Sequence, residues 1–161
     1  MPVFERETRV RAPLSEVWAF HSRIEGLEAL TPDWLHLTID AVIGPDGERD
    51  PDTLVPGTRI SMSLRPFGVG PKQRWTSVIT KRTEGEERAM FEDFMQGGPF
   101  SRWNHTHSFR ADGEDTIVHD RVEYELPGGK LGKAVSPISK FGFEGMFRGR
   151  HRATKRALEQ A

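Results

Sequence analysis

The sequence of 161 residues contains no cysteine. Disulfide bonds, a thiolate nucleophile and a cysteine-ligated metal are therefore excluded, and the absence fits a reducing compartment. No apolar run approaches the roughly 20 residues that a membrane-spanning helix needs, so we expect no stable membrane insertion. The first eleven residues carry five charged side chains, unlike a secretory signal peptide. These features predict a cytoplasmic protein.

An excess of charge of either sign is also missing. The chain has 23 basic and 24 acidic side chains and a formal net charge of -1, which creates no global field for nucleic acid. We therefore expect no nucleic-acid partner. Tyrosine is scarce, with one residue against 10 Phe and 4 Trp. Such rings fill a core or line an apolar cavity, and the composition does not distinguish the two.

The hydrophobic pattern predicts a single domain over residues 1–161 with seven strands and three helices. Apolar and polar residues alternate with a period of two in the expected strands, which cover residues 3–11, 35–43, 58–65, 72–82, 88–96, 101–110 and 116–126. Two short helices are expected after Pro13 and over residues 24–30. Ser136 and Pro137 have the pattern of a helix start, which predicts a long helix over residues 137–157.

The long helix has a face of apolar and small residues that must be buried against another element. This face comprises Ile138, Phe141, Gly142, Gly145, Met146, Gly149 and Ala153. Because the strands have short connections, they should pair antiparallel. The sequence therefore predicts an α+β fold in which the C-terminal helix packs on the concave side of an antiparallel sheet.

Several stretches of the sequence resemble the START/Bet v 1-like (SRPBCC) superfamily, which includes polyketide cyclase/dehydrase and lipid-transport proteins. They are Arg11 to Phe20, Phe91 to Met95, Gly98 to Phe100, Trp103 to Phe109, Asp120 to Gly129 and Phe147 to His151. The resemblance implies a helix-grip fold: a bent seven-stranded antiparallel sheet wrapped around a long C-terminal helix, with two short helices after the first strand. It implies a cavity for a hydrophobic small molecule, but it names no ligand, because the superfamily mixes carriers, receptors and enzymes.

Ionisable side chains are predicted to point inward from three consecutive strands. Strand alternation places His105 and His107 on the apolar face of their strand, and it places Asp120 and Asp93 among apolar neighbours. A buried carboxylate needs partners, and the two histidines are the nearest candidates. Three interpretations stay open: a structural polar network, a polar anchor for a ligand, and acid–base catalysis.

The predicted ligand contacts are mostly aromatic. They are Trp75, Phe91, Met95, Trp103, Phe109, Tyr124, Phe141 and Gly145. The preferred function is binding of a hydrophobic small molecule such as a lipid, an isoprenoid or an aromatic polyketide-like compound. The alternatives are a cofactor-free cyclase or dehydratase, in which Asp93, His105, His107 and Asp120 are catalytic, and a protein-interaction module. The sequence leaves homodimerisation open.

The spacing of His105 and His107 on one strand is also that of two metal ligands. A cupin-like site would add a glutamate soon after and a third histidine later, and neither is found in place, so we expect no metal and no cofactor. The glycines of the long helix indicate either close packing or room for a ligand. The basic residues near its end, including Arg148, Arg150 and His151, are interpreted as a solvent-exposed face.

Overall fold

A computed structural model describes residues 1–159, with the side chains of that range except those of residues 135–140. Within residues 1–159 the chain forms seven strands and three α-helices. In chain order they are β1 (Val3–Val10), α1 (Leu14–His21), α2 (Ile24–Leu30), β2 (Thr38–Ile43), β3 (Arg59–Leu64), β4 (Gln73–Glu84), β5 (Arg88–Gly97), β6 (Arg102–Asp112), β7 (Asp115–Glu125) and α3 (Lys130–Leu158).

The strands form one antiparallel sheet with the order β1-β7-β6-β5-β4-β3-β2. The first two strands therefore lie at opposite edges, and β1 is joined to β2 by the two short helices. Register shifts between Ile39 and Ala41 and between Ile79 and Lys81 interrupt the ladders, and such bulges let a sheet bend. The bent seven-stranded sheet around a C-terminal helix confirms the predicted helix-grip fold.

Two predicted element boundaries are wrong. Leu35 belongs to a short 3₁₀ turn, and β2 begins only at Thr38. The long helix begins at Lys130 rather than near residue 136. Positive φ angles at Gly128 and Gly129 turn the chain immediately after β7, and glycine adopts that conformation without steric cost. The four residues 126–129 therefore connect β7 to the helix.

The buried face of α3 also differs from the predicted one. Phe143 and Phe147 are buried, whereas Phe141 is 81% exposed. Gly145 is exposed, and apart from its own stretch of helix no atom of the described residues lies within 4 Å of an added Cβ. The side chain of Ile138 lies outside the described residues. Met146 of the predicted face packs against the same core group as Phe143 and Phe147. The buried face therefore keeps Met146 and has two phenylalanines four residues apart in place of Phe141 and Gly145, which buries a large apolar area.

Three groups of buried residues form the core. One joins α1 to β1, β6 and β7 around Trp18 and Phe109. A second lies beneath α3 around Tyr124 and Phe147. The third joins β2, β3 and β4 around Ile60. The space between α3 and strands β3 to β5 lies between the second and third groups, and Phe147 and Ile60 border it from opposite sides.

Gly26 lies where α2 meets the end of α1, and it provides a test of this packing. A Cβ at Gly26 would overlap the Phe20 carbonyl oxygen. We expect Gly26→Ala to lower the free energy of unfolding by about 1–3 kcal/mol, because backbone must move. Gly145→Ala is the matched control, which should be neutral or stabilise by up to about 1 kcal/mol. Urea denaturation measures both, and an equal effect of the two changes would contradict the close approach.

Candidate functional site

A cavity of about 280 Å³ lies between α3 and the sheet. Strands β3 to β6 form one wall, α2 and the segment after it form a second, and α3 closes the third. Most of the lining is apolar, including Ile60, Met62 and Phe147. The polar lining residues are Asp93, His105 and His107 on β5 and β6, Arg150 on α3, Gln73 and Ser77 on β4, His21 on α1, and Thr31. An apolar cleft with a few convergent polar groups is the usual form of a small-molecule site.

The structure places the eight predicted ligand contacts in three different environments. The cavity is lined by Trp75, Phe91, Met95 and Trp103. Phe109 and Tyr124 point inward but are buried within the core groups, and neither lines the cavity. Phe141 and Gly145 are exposed, as described above, so the prediction that they form the cavity wall is wrong.

The four predicted ionisable residues are buried together. Asp93 pairs across the ladder with His105, and His107 pairs with Asp120, so strand register brings the four side chains to one place. Asp120 is 3% exposed. His105, His107 and Asp93 line the cavity, and Asp120 does not. We predict from strand alternation that both aspartates face inward and are hydrogen-bonded, at least one to a histidine, and this is confirmed; whether any of the four is catalytic stays a prediction.

His107 lies between two carboxylates. Its Nε2 is 3.1 Å from Asp93 Oδ2, and its Nδ1 is 3.1 Å from Asp120 Oδ1. Since a carboxylate oxygen only accepts, this arrangement favours the imidazolium form of the ring, in which both nitrogens carry a proton. Burial opposes that charge, but the hydrogen bonds to Asp120 and Asp93 outweigh burial and raise the pKa of His107 above its ordinary value.

Asp120 accepts hydrogen bonds from three imidazoles. His105 Nε2 donates to Oδ1 at 2.8 Å, and His151 Nε2 donates to Oδ2 at 2.6 Å, in addition to His107. Burial opposes ionisation of the carboxyl group, but these donors hold the pKa of Asp120 well below its usual range. Asp93 is ionised for the same reason, with donors from His107 and from Ser77 Oγ at 3.1 Å.

His105 has the opposite character to His107, although the ring centroids are only 3.5 Å apart. Burial and the neighbouring charge of His107 lower the pKa of His105 to about 4. The ring is therefore neutral near pH 7. Because its Nε2–H donates to Asp120, its Nδ1 is the nitrogen that carries a lone pair. Two histidines in contact thus differ in protonation state, one charged and one neutral.

Sequence reasoning missed Arg150 and His151, which it assigned to an exposed face. His151 is 3% exposed, and Arg150 is half-buried and lines the cavity. The signal was helical spacing, because Phe147 follows Phe143 by four residues, and Arg150 and His151 follow Phe147 by three and four. His21 was also missed: it lines the cavity, and burial lowers its pKa to about 4.

One potential metal-ligand atom from each of Asp93, His105 and His107 lies within 4.8 Å of the others. Within this trio, His107 Nε2 and Asp93 Oδ2 are already joined by a hydrogen bond of 3.1 Å. Those two atoms are therefore satisfied without an ion. The expectation that no metal binds stays a prediction.

Comparison with known proteins agrees with the observed architecture. Residues 10–153 match the sequence profile of the family described as polyketide cyclase / dehydrase and lipid transport. A search of curated proteins found no match. No helix within residues 1–159 is long and apolar enough to cross a membrane.

Similar solved structures share the fold at low sequence identity. TTHA0849 from Thermus thermophilus is 21% identical with a TM-score of 0.64, over 98% of this chain and 100% of that chain. Norcoclaurine synthase from Thalictrum flavum, solved with dopamine and hydroxybenzaldehyde, is 19% identical with a TM-score of 0.66, over 97% and 85%. Ara h 8.0201 is 14% identical with a TM-score of 0.61, over 95% and 97%. With the family profile matching residues 10–153, the chain belongs to the polyketide cyclase / dehydrase and lipid transport family.

Proposed function

We propose that the protein binds a hydrophobic small molecule in the cavity between α3 and the sheet. The observation that carries the proposal is the cavity itself, a void of about 280 Å³ with largely apolar walls and a few polar groups. Small-molecule sites span roughly 300–1,000 Å³ and have this division between apolar walls and a few polar groups. A compact aromatic or short-chain ligand fits the size better than a long lipid.

The shared fold supports this choice of ligand. Norcoclaurine synthase was solved with two small aromatic compounds, dopamine and hydroxybenzaldehyde. Here, Trp75, Trp103 and Phe91 bring aromatic faces to the cavity, and aromatic rings pack favourably on one another. We propose an aromatic ligand, bound in the cytoplasm for carriage or sequestration.

Ligand binding is tested by filling the cavity. The neutral dye N-phenyl-1-naphthylamine should bind the wild-type protein with one saturable site and a rise in fluorescence. Leu64 lines the cavity. The larger side chain of Leu64→Trp would occupy space that the dye needs, and a loss of ~1.4 kcal/mol of apolar contact between dye and cavity would weaken binding about tenfold.

Leu131→Trp is the matched control, because Leu131 is 74% exposed on α3. Its affinity for the dye should equal that of the wild type. Dye binding that Leu64→Trp leaves unchanged would place the dye on the surface and contradict the proposal. Melting temperatures of both variants establish that each is folded.

A second candidate function, cofactor-free cyclase or dehydratase activity, is favoured by one observation. His105 is neutral, lines the cavity, and is held by Asp120 through its Nε2–H. A histidine oriented by a carboxylate in this way is a suitable general base. Arg150, also on the cavity wall, can donate hydrogen bonds to an oxygen on which negative charge develops. Together these groups suit proton abstraction next to a carbonyl.

A further inference from the structure

Arg150 lies on the cavity wall without an ion-pair or hydrogen-bond partner for its guanidinium among the described residues. Its guanidinium forms no salt bridge and no side-chain hydrogen bond with them; the hydrogen bond of this residue uses its carbonyl oxygen, which accepts from Thr154. A guanidinium has five N–H donors and is always charged near neutral pH. A half-buried cation whose donors are unused points to an acceptor that the protein itself does not supply.

The nearby carboxylates do not fill that role. Asp93 and Asp120 attract Arg150 through space, but neither carboxylate forms a hydrogen bond or an ion pair with its guanidinium, and both accept from other donors. Asp93 accepts from Ser77 and His107, and Asp120 accepts from three imidazoles. Four imidazole N–H groups and one hydroxyl therefore donate to this pair of aspartates, and Arg150 is left facing the cavity.

The position of Arg150 is fixed by the helix. It follows Phe147 by three residues and Met146 by four, so all three lie on the face of α3 that lines the cavity. Its guanidinium carbon lies 5.9 Å from the centroid of the Phe147 ring. Burial lowers the pKa of Arg150, which means that the charge is held in an environment where a direct partner is worth more than in water.

We propose that Arg150 anchors a monocarboxylate group, so that the ligand of the cavity is an aromatic or short-chain apolar carboxylic acid. The planar guanidinium matches a carboxylate with two parallel N–H···O bonds. The two aspartates are offset by the charges of His107 and Arg150, so a monoanion adds one negative charge in contact with Arg150, whereas a dianion such as a phosphate monoester would add two. This inference rests on the proposed ligand-binding function and names the class of ligand.

The test uses two probes of the same shape, 2-naphthoate and 2-acetonaphthone, in which a methyl group replaces one carboxylate oxygen. Displacement of N-phenyl-1-naphthylamine measures both affinities. We expect the wild type to bind 2-naphthoate about ten- to a hundredfold more tightly than 2-acetonaphthone, the range that hydrogen bonds to a charged group provide. Arg150→Gln should abolish this preference while leaving the affinity for 2-acetonaphthone within about twofold.

Two further variants locate the effect. Arg148→Gln removes a charge from the exposed face of the same helix, where Arg148 pairs with Glu144 at 3.0 Å, and it should keep the full preference. Arg150→Lys keeps the charge but not the planar fork, and it should keep part of the preference. Unchanged affinity for 2-acetonaphthone shows that each variant is folded and its cavity intact.

The outcomes separate the inference from the function on which it rests. Equal affinity of the wild type for the two probes, or a preference that survives Arg150→Gln, would overturn the carboxylate anchor and leave the ligand-binding function standing. Binding of neither probe, together with failure of the dye to bind, would overturn both. Preference for 2-naphthoate that disappears only in Arg150→Gln supports the proposal.

Discussion

An Asp120→Asn protein is expected to lose about 3–5 kcal/mol of its free energy of unfolding, the range found when one partner of a buried ion pair is removed. Three imidazole N–H groups donate to the Asp120 carboxylate. Asparagine offers one acceptor oxygen, and its amide N–H₂ would face N–H donors. It also removes the negative charge that stabilises the His107 imidazolium. Urea denaturation followed by circular dichroism measures the loss.

Asp115→Asn is the control from the same strand. Asp115 is partly exposed and pairs with Arg9 at 3.1 Å, so its substitution should cost less than about 1 kcal/mol of the free energy of unfolding.

The pH dependence of the free energy of unfolding gives a second check on Asp120. The pKa of Asp120 in the folded protein is well below its ordinary value of 3.8, so its stabilisation is present above that value and is lost as the pH falls toward the folded pKa. The difference in free energy of unfolding between the wild type and Asp120→Asn should therefore become smaller below about pH 4. A gap of under ~1 kcal/mol at neutral pH would show that the network does not stabilise the fold.

Strand alternation was sufficient to predict the sheet side of the site. A period of two placed His105, His107, Asp93 and Asp120 inward, and the register brought them together as expected. The alternation succeeded because the extra residues of the two register shifts lie in β2 and β4. The second shift stands opposite Glu92 and Asp93, but β5 itself has no extra residue there, and the pairing of β5 with β6 and of β6 with β7 is regular.

The helix side could not be predicted in the same way. Two faces of α3 have helical spacing, one with Phe141 and Gly145 and the other with Phe143 and Phe147. The second face does not have the pattern of a buried face, because it continues to Arg150 and charged residues are ordinarily exposed. A buried carboxylate on another element also favours the second face, because His151 on α3 donates a hydrogen bond to Asp120 on β7. That contact spans 31 residues and is invisible to local periodicity.

A His105→Gln protein distinguishes the structural from the catalytic interpretation of His105. Glutamine at this position can still donate an amide N–H to Asp120, but it has no basic nitrogen. We expect His105→Gln to lose about 1–3 kcal/mol of stability because the donor geometry changes, and to keep its affinity for 2-acetonaphthone. The same ketone reports on proton abstraction, because its methyl hydrogens exchange with deuterium through an enolate. Mass spectrometry in D₂O measures the rate.

A general base at His105 predicts that the wild type accelerates this exchange and that His105→Gln slows it by about two to four orders of magnitude. His119→Gln is the control, because His119 is a partly exposed residue of β7 that bonds to Glu5 at 3.1 Å. It should leave stability, affinity and exchange unchanged. Exchange no faster than in buffer, with 2-acetonaphthone bound, would refute the acid–base candidate for this carbonyl and leave His105 as a residue that holds Asp120 and lines the cavity.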